Sequence, residues 1–83
     1  MSLTVIVQET ALRALARIRA EDKDAFASIR RALTALAEQP HPDQAVAWGG
    51  SGIYRLHVPG IRILYEVDED AAIIYVINVA ATP

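Results

Sequence analysis

Eighty-three residues leave room for one domain around one hydrophobic core, because chains of this size already bury a smaller share of their surface than larger ones do. A hydrophobic fraction of 53% with 22% charged residues excludes a disordered tail or a fibrous repeat, and the absence of cysteine excludes a disulfide framework, a thiolate metal site and a cysteine nucleophile. The formal net charge of −2 excludes attraction of the whole molecule to nucleic acid, so only a local basic patch can serve that purpose.

The segment Met1-Ser-Leu-Thr-Val-Ile-Val7 lacks the basic start and longer apolar region of a signal peptide. No apolar run approaches bilayer length. A cytoplasmic protein without a membrane segment, with residues 1–83 as a single domain, is the expectation.

Leu3-Thr-Val-Ile-Val7 is β-branched and ends in polar Gln8-Glu9-Thr10, which predicts a short first strand and then a helix cap. From Ala11 the period changes. Leu12, Leu15 and Ile18 recur at helical spacing among Arg13, Arg17 and Arg19, and the helix stops near Glu21-Asp22. Asp22 or Asp24 caps a second helix, in which Phe26, Ile29, Leu33 and Leu36 make one apolar stripe until Pro40 and Pro42 end it. Two helices joined this closely are expected to lie antiparallel, stripes turned toward a common surface.

Ala45-Val-Ala-Trp48 reads as a short strand or an extended loop, followed by Gly49-Gly-Ser-Gly52. These glycines do not make a phosphate loop, since no Lys-Ser/Thr follows them and the next element is a strand. Tyr54-Arg-Leu-His-Val58 then alternates cleanly, Pro59-Gly60 supplies a tight turn, and Ile61-Arg-Ile-Leu-Tyr-Glu-Val67 resumes. Asp68-Glu-Asp70 marks the next turn. Ala72-Ile-Ile-Tyr-Val-Ile-Asn-Val79 is nearly continuous in apolar residues, as expected of a strand covered on both sides.

With a two-residue turn at Pro59-Gly60, Val58 pairs with Ile61, His57 with Arg62, Leu56 with Ile63 and Arg55 with Leu64. Tyr54, Leu56, Val58, Ile61, Ile63 and Tyr65 then face the helices, while Arg55, His57, Arg62, Leu64 and Glu66 face away. A slip of one residue would drive charges into the core, so the alternation constrains the register. The same parity carried through the second turn places Ile73, Tyr75, Ile77 and Val79 on the outward face. Such a face can stack a base on Tyr75 while Arg55 and Arg62 hold phosphates. Taken alone, the two arginines read first as solvated sheet residues, one paired with Glu66, with His57 a surface histidine and Tyr75 a packing residue. His41, between two prolines, carries no assigned role.

The order strand, two helices, three-strand meander, with Tyr54-Arg-Leu-His-Val-Pro-Gly-Ile-Arg-Ile-Leu-Tyr-Glu-Val-Asp-Glu-Asp70 at its heart, resembles the RelE/ParE toxin superfamily. The resemblance covers essentially the whole chain, and its informative part is residues 54–79. It implies an α+β fold: a short N-terminal strand, an α-helical hairpin, and an antiparallel three-strand meander packed on the helices. It also implies the toxin component of a type II toxin-antitoxin system, held inactive by an antitoxin.

Two functional branches share that fold. RelE-like members cut mRNA in the ribosomal A site, which implies a metal-independent endoribonuclease without cofactor, with Arg62, Arg55 and His57 as catalytic residues and Arg55, Arg62 and Tyr75 binding RNA. The chemistry needs a proton acceptor for the 2′-OH, stabilisation of the phosphorane and a proton for the leaving oxygen. His57 would move the protons, imidazole being the side chain suited to proton exchange near neutral pH. ParE-like members inhibit DNA gyrase without cutting RNA, and a degenerate member would bind its antitoxin alone.

The RelE pattern continues past the last strand with a glycine and a basic segment. Here Ala80-Ala-Thr-Pro83 stands there, with Thr82 in place of the arginine, so the chain reads as RelE-like with a truncated C-terminus. The expected reading is an mRNA interferase, with gyrase inhibition as the alternative. Apolar stripe left over on the helices would accept an antitoxin helix or a second copy of the chain.

Overall fold

The computed structural model describes residues 2–50 and 52–82. Its elements are β1 (Thr4–Val7), α1 (Glu9–Glu21), α2 (Lys23–Glu38), β2 (Ala45–Ala47), β3 (Ile53–Val58), β4 (Ile61–Asp68) and β5 (Ile73–Ala81). Among the described residues no helix is long and apolar enough to cross a membrane.

Asp22 alone separates the helices. Its side chain accepts from the Ala25 N–H at 3.0 Å, capping α2, while its own backbone N–H closes α1 on the Ile18 carbonyl. One residue thus ends one helix and starts the next. α1 packs its Ala11, Ala14, Leu15 and Ile18 face against the sheet, and α2 contributes Ile29 and Leu36 to the same core. Leu12, expected in the stripe, is 57% exposed. Ala11, Ala14, Leu15 and Ile18 recur at helical spacing on one buried face of α1, and Leu12 lies outside that face.

The α+β architecture expected from the sequence is present, with the meander extended on both sides. The strands form one sheet in the order β1-β5-β4-β3-β2. β1 joins β5 in parallel, the other neighbours are antiparallel, and Ala45–Ala47 is a strand, not a loop. Val58↔Ile61, His57↔Arg62, Leu56↔Ile63 and Arg55↔Leu64 pair as the Pro59-Gly60 turn dictates. Gly60 has φ 76°, the left-handed conformation that the second turn position requires after proline.

Two expectations for β5 are corrected. Its pairing with β4 shifts between Leu64 and Tyr65, so Leu64 faces Asn78 and Tyr65 faces Val76, leaving Ile77 as an inserted residue. The insertion reverses the parity beyond it. Val79 therefore lies in the core at 3% exposure opposite Ile63, not on the outward face. Nor is β5 covered on both sides: its inward Ile74 and Val76 are buried under the helices, whereas outward Ile73 and Tyr75 are only half-buried.

Candidate functional site

Residues paired across a sheet point the same way, so the register lays out the outward face in rows. One row runs Val46 (β2), Arg55 (β3), Leu64 (β4) and Asn78 (β5). Beside it, toward the Pro59-Gly60 turn, lie His57, Arg62 and Ala80. On the other side lie Ile53, Glu66, Tyr75 and, on β1, Ile6.

Trp48 follows β2, held by its backbone N–H on the Ile53 carbonyl at 2.9 Å. It borders a cleft of about 250 Å³ shared with Arg55, Arg62, Leu64, Asn78 and Ala80. The structure therefore brings Arg55 and Arg62 together, as the sequence reading required. The Arg55 Nε is buried without a hydrogen-bond partner. The Asn78 Oδ1 accepts the Val79 N–H at 2.9 Å, which leaves the amide NH₂ of Asn78 to donate. The side chains of Arg55, Arg62 and Asn78 thus bring N–H donors to this cleft, and no carboxylate lines it.

His57 and Tyr75 do not line this cleft. His57 faces Arg62 in register, but it borders a second cleft with Leu36, Gln39 and Pro59, at the end of α2. β2 reaches only as far as Leu56 along β3, so His57 stands at an open sheet edge. Tyr75 lies opposite Glu66 in a third cleft, among Asp68, Glu69, Asp70 and His41. His41, given no role by the sequence, contacts the Glu69 carboxylate at 2.7 Å and sets its ring edge-on to Tyr54 at 5.0 Å.

Trp48 and Asn78 were not singled out by sequence reasoning. A signal existed for each: Asn78 is the one polar residue in an apolar strand, and Trp48 is the sole tryptophan. Among the described residues no group of three or more His, Asp or Glu side chains converges to hold a metal ion.

A family model of the ParE toxin of type II toxin-antitoxin systems (parDE) matches residues 5–82. The chain belongs to the ParE toxin family. The resemblance to the RelE/ParE superfamily read from Tyr54 onward is thus borne out, and the fold agrees. No curated protein matches the chain.

Among solved structures, the toxin fold is similar to the isolated Escherichia coli RelE toxin, with a TM-score of 0.85 and 18% identity over 99% of this chain and 86% of that one. It is similar also to a chain of the RelBE2 toxin-antitoxin complex of Mycobacterium tuberculosis, with a TM-score of 0.82 and 19% identity over 99% and 100% of the two chains. The YoeB dimer of Staphylococcus aureus gives a TM-score of 0.78 and 15% identity with both chains wholly covered. At these identities the likeness is one of fold. The ParE family toxin described here presents Arg55 and Arg62 on the outward sheet face of that fold.

Proposed function

We propose that this toxin acts in the cytoplasm, is neutralised by a protein antitoxin, and arrests growth by inhibiting DNA gyrase. The observation that carries the reading is the make-up of the Arg55–Arg62 cleft. It is lined by two guanidinium groups, one amide and apolar side chains, while His57 borders a different cleft. Such a cleft holds an anion on two guanidinium groups, and its own lining side chains carry neither carboxylate nor imidazole; His57, across from Arg62, stands outside that lining. The match to the ParE family, whose resemblance implies gyrase inhibition, supports the same branch. An antitoxin partner is supported by the solved RelB–RelE complexes of the same fold.

A second reading, a metal-independent mRNA endonuclease acting at the ribosome, draws on the position of His57 directly across from Arg62. In it Arg55 and Arg62 stabilise the phosphorane, His57 moves the protons, and Tyr75 stacks a base.

The test is expression of the toxin alone and with its candidate antitoxin. Growth arrest relieved by the antitoxin is expected, together with loss of supercoiling when purified toxin is added to gyrase and relaxed plasmid. Codon-phased cleavages in primer extension of cellular mRNA, with supercoiling intact, would replace this reading by the second.

A further inference from the structure

We propose that the cleft bounded by Trp48, Arg55, Arg62 and Asn78 is a carboxylate pocket, which takes an acidic side chain of a protein partner and seats that partner's neighbouring apolar residue on Trp48. The inference rests on the reading that the toxin acts on a protein, and it names the chemistry by which that protein is held.

Three side chains that carry N–H donors line it. The Arg55 Nε is buried and unpaired, and a buried donor without an acceptor is costly to the fold. Each guanidinium presents paired N–H groups at the spacing of the two oxygens of a carboxylate, and two guanidinium groups border this cleft. Arg62 adds a second guanidinium at the rim, and the Asn78 amide donates because its oxygen is already held by the Val79 N–H. The β5 insertion at Ile77 is what turns Asn78, and not an apolar neighbour, into this position, the use to which bulges beside functional sites are put.

The charge pattern favours a single carboxylate over a polynucleotide. Glu66 and Asp68 share the outward face of β4 with Arg62, Glu66 about 13 Å further along at the rise of a strand. Glu69 and Asp70 follow in the turn, and the chain as a whole carries −2. A nucleic acid extended along the strands would set successive phosphates against those carboxylates. A peptide brings one charge to the pocket and apolar contacts beside it, where Trp48 and Val46 stand 49% and 55% exposed.

The test is titration of ¹⁵N-labelled toxin with acetyl-Leu-Glu-Phe-Leu-amide, its Glu→Gln counterpart, and single-stranded hexauridylate, read by NMR. The glutamate peptide is expected to shift the Arg55 Nε–H, Trp48 indole N–H and Asn78 side-chain amide signals, and to bind roughly tenfold tighter than the glutamine peptide. Arg55→Gln, and separately Arg62→Gln at an exposed position, should abolish these shifts while the remaining spectrum shows the fold intact. Equal affinity for the two peptides, or shifts confined elsewhere, would overturn the pocket. So would hexauridylate moving the same signals at lower concentration, which would assign the cleft to phosphate. Gyrase inhibition by the unaltered toxin is scored separately, so a failed titration with inhibition intact removes the pocket and leaves the gyrase reading standing.

Discussion

The Tyr65 hydroxyl donates to the Pro40 carbonyl oxygen at 2.8 Å, tying the chain that leaves α2 to the middle of β4. Tyr65 is fully buried and its ring stacks on Tyr54, with centroids 5.7 Å apart. Burial first, and the Tyr54 phenol second, push the Tyr65 hydroxyl up from 10.0 to about 12. The fold thus favours the neutral phenol more strongly than the unfolded chain does. Its contribution is present in full below pH 10.0 and is lost as the pH rises toward about 12. Urea unfolding should show stability falling across that window. Tyr65→Phe should flatten the fall, while costing about 1 kcal/mol at neutral pH through the lost hydrogen bond.

Ala72, at the end of the β4–β5 turn, is held at φ 57°, a conformation that penalises a side chain. Its carbonyl accepts the Thr4 N–H at 2.9 Å, so the turn cannot relax without loosening β1. Ala72→Gly should relieve about 1–2 kcal/mol of left-handed strain, of which about 0.4–1 kcal/mol is offset by the greater freedom of glycine in the unfolded chain. A thermal scan would show it as an increase of a few degrees in Tm.

The insertion at Ile77 makes a test of its own. Val79 is in the core and Ile77 is only half-buried. Val79→Ala should therefore cost about 2 kcal/mol and Ile77→Ala about half of that, although isoleucine loses more carbon. A regular strand, with Ile77 and Val79 on the same outward face, would make both substitutions mild, and denaturant midpoints of the two variants separate the cases.

What the sequence made legible follows from where its pattern was informative. Residues 54–65 alternate between apolar and polar and are punctuated by Pro59-Gly60, so one register alone keeps Arg55 and Arg62 out of the core, and that register is observed. Residues 73–77 are apolar throughout, so they carry no parity, and an inserted residue leaves no trace in them. Val79 was misplaced for that reason and Asn78 missed. Trp48 belongs to the site only because β2 pairs with β3, a contact that three residues of weak pattern do not announce. His57 was correctly set opposite Arg62, yet register fixes a face and not which cleft a side chain at an open edge will border.

Arg55 also allows function to be separated from stability. Its Nε is buried and unpaired in a chain whose other outward arginine is exposed, so the folded toxin carries an unsatisfied donor that contributes nothing to holding the sheet together. Methionine reaches as far as the Nε position and has no donor. Arg55→Met should leave stability unchanged or raise it by about 0.5–1 kcal/mol. Thermal unfolding would report this as a Tm higher by a few degrees. If Arg55 anchors a partner, the same substitution removes an interaction of the kind that costs about 2 kcal/mol or more when truncated, roughly thirtyfold in affinity. Toxicity on expression should then be lost while the protein accumulates folded. A residue kept for packing would behave in the opposite way, because its loss would lower Tm and weaken toxicity only as far as the folded fraction fell.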